Sequence, residues 1–235
     1  MTLNIERIQA LCFDVDGTLR DTDDRYASQI AGLLAPLSRL LPGRDAKRAA
    51  RWLVMRLESP GNFIFGLPDT LGVDDELVSI SDWLHDRGWL KTKAHDYLVV
   101  PGSASALLAL REQFPMSVIS ARPKRGTYAF LEGSKLMPLF KFVASGQSAA
   151  RTKPHPDPVY LAAEMMGVKA DACLMIGDTT VDILAGKRAG AQTAGVLSGF
   201  GEEQELRDAG ADIILESVAA LPALFGITPL QPANH

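Results

Sequence analysis

The stretch Phe13-Asp14-Val15-Asp16-Gly17-Thr18-Leu19 decides how the rest of this chain is interpreted. The residues that lead into it, Ile8 to Phe13, are mostly apolar and predict a short buried strand. The strand ends in two acids two positions apart, and the glycine that follows them can adopt backbone angles closed to other residues. An acid beside apolar strand residues is costly unless it has a partner, and ligands of open α/β sheets bind at the carboxyl ends of the strands. The stretch therefore predicts a functional site at that edge of a sheet.

The stretch has two alternative interpretations, a calcium-binding loop and a surface turn. A calcium-binding EF-hand loop also begins Asp-x-Asp, but it needs glycine at its sixth position and glutamate at its twelfth. Here those positions are Leu19 and Arg25, which excludes the calcium loop. The second alternative is an acidic turn on the surface, and the downstream residues argue against it.

Length, composition and charge limit the possible classes of protein. The 235 residues exceed the usual single-domain length of about 150, which fits a core domain with one insertion. The chain is 47% hydrophobic and 22% charged, as is ordinary for a soluble globular protein. A net charge of −4 without a basic block argues against nucleic acid as the main partner, although a small phosphorylated molecule remains compatible with it.

Cysteine usage and hydropathy indicate the compartment. Cys12 and Cys173 each lie within an apolar run, which predicts two free buried thiols in a reducing cytosol and not a disulfide or a thiolate metal site. The first residues, Met1 to Arg7, lack the apolar core of a signal peptide, and no stretch approaches the ~20 apolar residues of a membrane span. We therefore expect a cytoplasmic protein without membrane contact.

A helical insertion separates the first strand from the rest of the chain. Residues 22–93 show helical spacing of apolar side chains and almost no strand signal. Between two of the expected helices, the apolar loop Asn62 to Leu67 carries Phe63 and Phe65. We expect a core domain made of residues 1–20 and 94–235, with a helical domain over residues 21–93.

The second half of the chain alternates between strand and helix patterns. Strands are predicted at Met116 to Ser120, Phe140 to Ala144, Ala172 to Ile176, Gln192 to Val196 and Asp212 to Leu215. Helices are predicted at Ser103 to Phe114, Gly126 to Met137, Asp157 to Gly167 and Asp182 to Ala189. This alternation predicts an α/β fold, a doubly wound parallel sheet with right-handed crossovers and helices on both faces.

Polar residues follow four of the strands, and their order along the chain is informative. After Asp14 and Asp16 come Ser120, then Lys153 in Lys-Pro-His-Pro, and finally Gly177-Asp178 with Asp182 four positions on. These residues resemble the four motifs of the haloacid dehalogenase (HAD) superfamily, over about residues 8–20 and 98–225. The resemblance implies a Rossmann-like HAD core with a small helical cap inserted after the first strand.

Electrostatics predicts a divalent cation at this site. Asp14 and Asp178 should end neighbouring strands, which lie about 4.8 Å apart. At an effective dielectric constant near 20, two like charges about 5 Å apart repel by roughly 3 kcal/mol. The acidic motifs contain only oxygen ligands, which favours Mg²⁺, a cation that also binds substrate phosphates.

The resemblance to the HAD superfamily also implies roles for single residues. Asp14 would be the nucleophile that forms an aspartyl-phosphate. Asp16 would be the general acid that protonates the leaving alcohol and then the base that activates water, with its backbone carbonyl on the metal. Lys153 would neutralise the phosphoryl group, and Asp182 would hold Lys153 or a water on the metal.

The expected phosphate and metal ligands complete this set. Ser120 and the turn amides near Gly17 and Thr18 would hold phosphoryl oxygens. The residues assigned to the metal are Asp14, Asp16, Asp178 and Asp182. Ordinary structural roles are the alternatives: a strand-end cap for Ser120, a solvated loop charge for Lys153, a helix cap for Asp178 and a surface helix acid for Asp182.

Within the superfamily, Asp16 favours phosphate ester chemistry. Members that cleave carbon–halogen bonds carry tyrosine at this position, and phosphonate-cleaving members carry alanine. The chain resembles the Mg²⁺-dependent phosphomonoester hydrolases, especially the phosphoglycolate phosphatase type. A sugar-phosphate mutase on the same core is the alternative, and a non-catalytic phospho-ligand binding module is a more distant one.

Four further residues are candidates for substrate binding. Arg20 replaces the apolar residue often found after Asp-Gly-Thr-Leu, and it either binds a second anionic group of the substrate or is a solvated hinge residue. Arg122 follows Ala121, which replaces the usual asparagine of the second motif. Phe63 and Phe65 are either substrate-selecting residues or part of the core of the cap. We expect a small phosphorylated substrate and a monomer or small homo-oligomer.

Overall fold

In the computed structural model, which describes residues 3–21 and 97–228, six strands form one fully parallel sheet. The strands are β1 Ala10–Phe13, β2 Met116–Ile119, β3 Phe142–Ala144, β4 Cys173–Gly177, β5 Gln192–Val196 and β6 Ile213–Leu215. Their order in space is β3-β2-β1-β4-β5-β6. This is the strand order of the Rossmann-type doubly wound sheet.

Five helices of the described residues lie between successive strands, and a sixth follows the last strand. They are α1 Ser103–Leu110, α2 Lys124–Gly133, α3 Asp157–Met166, α4 Thr180–Arg188, α5 Glu203–Asp208 and α6 Leu221–Leu224. Short 3₁₀ turns lie at Ile5–Arg7, Met137–Leu139, Ala170–Ala172 and Val218–Ala220. All described residues belong to one compact unit of the chain. The predicted domain over residues 21–93 lies outside the described residues apart from Asp21, so it stays a prediction.

Alternate residues of the central strands enter two hydrophobic cores, one on each face of the sheet. Leu11 and Phe13 of β1 pack in the core that contains residues of α1 and α2. Ala10 and Cys12 pack in the other core, with residues of α3 and α4. Because side chains of a strand alternate between its faces, a strand buried on both sides reads as a continuous apolar run. This arrangement explains the unbroken apolar sequence before Asp14 and confirms the predicted helices on both faces.

Most element boundaries differ from the predicted ones by a few residues. The first strand begins at Ala10 and not at Ile8, because Ile5–Arg7 forms a 3₁₀ turn. Helix α2 ends at Gly133, and Lys135 then takes a left-handed φ of 61°. The helices α5 and α6 were not predicted. They are only 6 and 4 residues long, too short to show a clear helical period.

The strand order places the reversal point of the sheet between β1 and β4. The chain runs outward from β1 through β2 to β3, then returns to β4 on the other side of β1. Phe13 of β1 is in register with Ile176 of β4, so the two strands end side by side. In doubly wound sheets, ligands bind outside the carboxyl ends of the strands at such a reversal point. The acids that follow β1 and β4 therefore lie where a ligand would bind.

Candidate active site

Asp14 and Asp178 meet at the reversal point of the sheet. The Asp14 N–H donates to the Ile176 carbonyl at 2.9 Å, which continues the ladder one residue beyond β1. Asp178 follows directly after β4, and both carboxylates are buried. The two predicted strand-end acids are therefore neighbours, as the parallel order requires.

Lys153 lies between two of the acids. It is 4% exposed, and its Nζ donates to Asp14 Oδ1 at 2.5 Å and to Asp182 Oδ1 at 2.6 Å. The loop that carries Lys153 is held from the other side, where Arg188 Nη1 donates to the Pro154 carbonyl at 2.8 Å. Lys153 is thus an ordered, buried cation and not the solvated loop charge of the alternative interpretation.

Asp182 has two functions that follow from its place in the first turn of α4. Its Oδ2 accepts hydrogen bonds from the Thr179 N–H at 3.1 Å and the Thr179 hydroxyl at 2.7 Å, which forms a capping box at the start of the helix. Its Oδ1 binds Lys153. A Cβ at Gly177 would lie 2.3 Å from the Asp182 Cβ, so glycine is required at the end of β4. Asp182 is buried and holds Lys153, which excludes the alternative of a surface helix acid.

Asp178 is enclosed by a glycine-rich loop after β5 that the sequence analysis missed. The Phe200 N–H donates to Asp178 Oδ2 at 2.8 Å, and the Thr18 hydroxyl lies 3.4 Å from Oδ1. A Cβ on Gly199 or Gly17 would come within 2.0 Å and 2.3 Å of Asp178 Oδ2, respectively. The signal that could have revealed this loop is the Ser-Gly-Phe-Gly run directly after a predicted strand.

The side chain of Asp16 is held by two arginines. Arg20 Nη1 donates to Asp16 Oδ1 at 3.2 Å, and Arg122 Nε donates to Oδ2. The Asp16 side chain is 19% exposed. Among the described residues, three acids bring carboxylate oxygens within 4.8 Å of one another, namely Asp14, Asp178 and Asp182, and Asp16 is not one of them. The structure thus separates its side chain from the metal set, whereas its backbone carbonyl stays the predicted ligand.

The residues expected to hold the phosphoryl group are only partly arranged for that role. Ser120 is buried beside the site, and its Oγ accepts a hydrogen bond from the Arg122 N–H at 3.1 Å. The Gly17 N–H donates to the Arg20 carbonyl at 3.0 Å and the Thr18 N–H to the Val15 carbonyl at 3.3 Å. These two amides close the turn after β1, and the expectation that turn amides near Gly17 and Thr18 bind phosphoryl oxygens stays a prediction. The Thr18 hydroxyl instead contacts Asp178.

Burial and charge shift the pKa values of the central ion pair. Burial raises the pKa of Asp14 to about 7; Lys153 opposes the rise, whereas the charges of Asp182 and Asp16 add to it. Burial by itself would lower the pKa of Lys153, but the charges of Asp14 and Asp182 outweigh burial and raise that pKa above its ordinary value. Lys153 is therefore a permanent cation, and Asp14 needs a further positive charge to be fully ionised at neutral pH.

Three of the buried acids could hold a cation. One carboxylate oxygen from each of Asp14, Asp178 and Asp182 lies within 4.8 Å of the others. All three are buried, and Lys153 offsets only part of their charge. Hard oxygen donors in this number suit Mg²⁺, which is commonly bound by one or two carboxylates and keeps several waters. The residues present therefore fit a magnesium ion, although Asp182 already shares both its oxygens with Lys153 and Thr179.

The remaining predictions concern features away from the acids. Phe63 and Phe65 lie outside the described residues and stay predicted substrate contacts. Cys12 and Cys173 are free and buried, as predicted. The hydrogen bond between the two thiols and their burial raise the pKa of Cys173. Within residues 3–21 and 97–228, none of the helices has the length and apolar character needed to cross a membrane.

Comparison with known proteins agrees with the geometry of the site. Residues 8–190 match the family model of haloacid dehalogenase-like hydrolases. Phosphoglycolate phosphatase from Shigella boydii is 29% identical over 93% of each chain. A protein named "Probable phosphatase IndB" from Dickeya dadantii is 32% identical over 87% of this chain and 88% of its own. The crystal structure of a hydrolase from Pseudomonas syringae superposes with a TM-score of 0.66 at 26% identity, covering 94% of this chain and 99% of that one.

A buried lysine among strand-end aspartates on a doubly wound parallel sheet is the arrangement that the resemblance to the haloacid dehalogenase superfamily implies. The chain belongs to the haloacid dehalogenase-like hydrolase family. The prediction of an enzyme, a phosphatase within this family, is confirmed by the matched family and relatives.

Proposed function

We propose that this protein is a Mg²⁺-dependent phosphomonoester hydrolase that acts on a small phosphorylated metabolite through an aspartyl-phosphate intermediate. The observation that carries the proposal is the contact of Lys153 with Asp14 and Asp182, next to Asp178. Bound Mg²⁺ would be held by Asp14, Asp178 and the Asp16 backbone carbonyl, and it would supply positive charge at the phosphoryl oxygens. The names of the relatives make 2-phosphoglycolate the first candidate substrate.

In the first half-reaction, a carboxylate oxygen of Asp14 attacks phosphorus and the bond from phosphorus to the leaving oxygen breaks. Asp16 donates a proton to that oxygen, so the product leaves as an alcohol and not as an alkoxide. Lys153 offsets the charge of the phosphoryl group, which would otherwise repel an attacking carboxylate. The Ser120 Oγ accepts a hydrogen bond from the Arg122 N–H, and this bond fixes the hydroxyl at the same strand end.

In the second half-reaction, water attacks the phosphorus of the aspartyl-phosphate. Asp16, now ionised, takes a proton from that water, and the bond between phosphorus and the Asp14 oxygen breaks. Inorganic phosphate leaves, and both aspartates return to their starting states. Asp182 reacts with nothing in this scheme; it keeps Lys153 against Asp14.

The test is phosphate release from a panel of small phosphomonoesters that includes 2-phosphoglycolate, glycerol phosphates and sugar phosphates. We expect release with Mg²⁺, none with EDTA, and none from Asp14→Asn. Asp208→Asn is the matched control, because Asp208 is an exposed acid on α5 that bonds only to Gln204 among the described residues. Acid-quenched protein should gain the mass of one phosphoryl group during turnover, and Asp14→Asn should not.

The outcomes separate the alternatives. Isomerisation of a sugar phosphate without free phosphate would identify a mutase in place of a hydrolase. Saturable binding of phosphate esters with neither reaction would identify a binding module. The intact set of Asp14, Asp16, Lys153 and Asp178 argues against the binding module, since the nucleophile Asp14 and the acid Asp16 would have no chemical role without turnover.

We further propose a cytoplasmic location and a monomer or small homo-oligomer. The two free buried thiols support the reducing compartment.

A further inference from the structure

The backbone of Arg122 is fixed on both sides. Its N–H donates to Ser120 Oγ at 3.1 Å, and its carbonyl accepts from the Gly146 N–H at 2.8 Å. A Cβ at position 146 would lie 2.5 Å from the Ala121 carbonyl oxygen, so only glycine permits this approach. The guanidinium of Arg122 therefore extends into the site from a fixed base.

The Nε donor of that guanidinium is in use, whereas its terminal nitrogens have no ion-pair partner in the described part of the chain. Nε donates to Asp16 Oδ2, and the side chain as a whole is 37% exposed. In the described part of the chain, the Arg122 side chain makes no ion pair other than this one. A guanidinium carries five donors in a planar fork, so its terminal nitrogens can bind a carboxylate or phosphate while Nε stays on Asp16.

Neutralising Asp16 does not explain why two arginines are present. Arg20 already covers the other carboxylate oxygen, and its side chain is only 13% exposed. The backbone on either side of Arg20 is tied down as well: the Val100 N–H donates to the Leu19 carbonyl and the Asp21 N–H to the Leu98 carbonyl, both at 2.9 Å. Arg20 is therefore sufficient to hold Asp16. The more exposed Arg122 keeps terminal N–H donors that can bind a ligand.

We propose that Arg122 recognises a second anionic group on the substrate, carried by the leaving alcohol close to the ester oxygen. This inference rests on the proposed hydrolysis and narrows its substrate class. Asp16 must reach the leaving oxygen, and the Arg122 guanidinium is hydrogen-bonded to Asp16. A second anion bound by the other nitrogens of this guanidinium would therefore lie only a few atoms away from the leaving oxygen. This requirement is met by a carboxylate bonded to the carbon that carries the ester oxygen, or by a second phosphate on the neighbouring carbon. The phosphomonoesters selected are thus those of small anionic alcohols.

Three phosphate esters of two-carbon alcohols form the test. They are 2-phosphoglycolate with a carboxylate, ethane-1,2-diyl bisphosphate with a second phosphate, and 2-hydroxyethyl phosphate with a neutral end. The wild type should prefer the better of the two anionic esters to the neutral one in kcat/KM. In Arg122→Gln, the ratio of anionic to neutral kcat/KM should fall about 10- to 100-fold, the value of one lost charge-assisted hydrogen-bonding pair. Taking a ratio cancels any loss caused by a displaced Asp16, which affects all three esters equally.

Lys124→Gln is the matched control. It removes a cation two residues away that lies over the Tyr128 ring, 5.5 Å from its centroid, and not on Asp16. The ratio should stay within about threefold in this variant. Arg122→Lys keeps the charge without the planar fork, and it should restore the ratio only in part.

Binding separates this inference from the proposed turnover. Titration of Mg²⁺-loaded Asp14→Asn with each ester should show tighter binding of an anionic ester, and the additional change Arg122→Gln should abolish the difference. Equal binding and equal kcat/KM for all three esters in the wild-type background would overturn the inference even if hydrolysis is observed. A parallel loss on all three esters in Arg122→Gln would also overturn it and leave Arg122 as a positioning residue for Asp16. Of the two anionic esters, the preferred one identifies the second group as carboxylate or phosphate.

Discussion

The raised pKa of Asp14 predicts how the stability of the cation-free protein depends on pH. The perturbation is removal of divalent cations with EDTA, followed by unfolding across the pH range from 4.5 to 8. Burial takes the pKa of Asp14 from 3.8 to about 7 in the folded protein. The folded state therefore binds one more proton than the unfolded state throughout the interval between these values.

The sign and size of the effect follow from this difference. A group whose folded pKa is raised contributes stability that is complete below the unfolded pKa and is lost as the pH rises through the folded pKa. The shift is roughly three pK units, which corresponds to about 4 kcal/mol at 1.36 kcal/mol per unit. Lys153 adds no slope in this range, because it stays protonated both in the unfolded state, with its ordinary pKa, and in the folded state, where its pKa is raised. We expect the free energy of unfolding to lose about 1.4 kcal/mol per pH unit through Asp14 between pH 5 and 7.

The assay is urea unfolding of the wild type and of Asp14→Asn at each pH. Subtracting the Asp14→Asn free energy removes the contribution of other titrating groups, as long as those groups respond equally in both proteins. Saturating Mg²⁺ should then abolish this slope, because the cation competes with the proton for the same carboxylate and keeps Asp14 ionised in the folded state. The stabilisation by Mg²⁺ should thus be larger at pH 8 than at pH 5.

A flat difference between the two proteins from pH 5 to 7 in EDTA would refute the reasoning. It would mean that Lys153 alone keeps Asp14 ionised and that burial does not dominate its pKa. Equal stabilisation by Mg²⁺ at both ends of the range would refute the competition between proton and cation. Asp208→Asn, an exposed acid on α5, should follow the wild-type curve and serves as the control.

Three further predictions concern the supports of the site. Arg188→Ala should lower kcat about tenfold, because the loop of the catalytic lysine loses its clamp, whereas Arg207→Ala, which removes an exposed helix pair, should leave kcat unchanged. Gly199→Ala should weaken Mg²⁺ binding in calorimetry by roughly 10- to 100-fold, because its Cβ would lie 2.0 Å from Asp178 Oδ2. The control Gly126→Ala, whose Cβ would have its nearest neighbour at 3.8 Å, should leave Mg²⁺ binding unchanged. Lys153→Met should abolish phosphate release and lower the free energy of urea unfolding by about 3–5 kcal/mol at pH 8. This loss of stability should be smaller at pH 5, because the carboxylates of Asp14 and Asp182 can take up a proton once the lysine is gone.

The sequence was sufficient to predict the sheet and the strand-end acids for a simple reason. A parallel strand buried on both faces must be apolar throughout, so a polar residue at its end is conspicuous. Asp14, Ser120 and Asp178 each follow such a run, and parallel order then brings them to one edge. Neither step depends on the details of side-chain packing.

The contacts that enclose the site could not be predicted in this way. The pairing of Asp16 with Arg122 joins residues 106 positions apart and depends on the side-chain conformations that the fold selects. The loop over Asp178 depends on Gly199 and Gly201, which lie close to Asp178 only after β5 is placed next to β4. Sequence spacing indicates which residues share a sheet edge, but not which of them touch.

The distribution of charge gives the last reason to regard this site as built for a dianionic ester and a divalent ion together. Four carboxylates, those of Asp14, Asp16, Asp178 and Asp182, are matched by three cationic side chains, Lys153, Arg20 and Arg122. With all four carboxylates ionised, which is the state before Asp16 takes up the proton that it later donates, the site carries one negative charge in excess, and this excess would repel a phosphate ester. A divalent cation turns this excess into one positive charge, and a dianionic phosphoryl group then returns the site to a single negative charge. A monovalent cation would leave the site neutral, with no net attraction for the ester. Attraction of the substrate therefore requires a divalent cation, and the buried carboxylate oxygens at this edge of the sheet are suitable ligands for one.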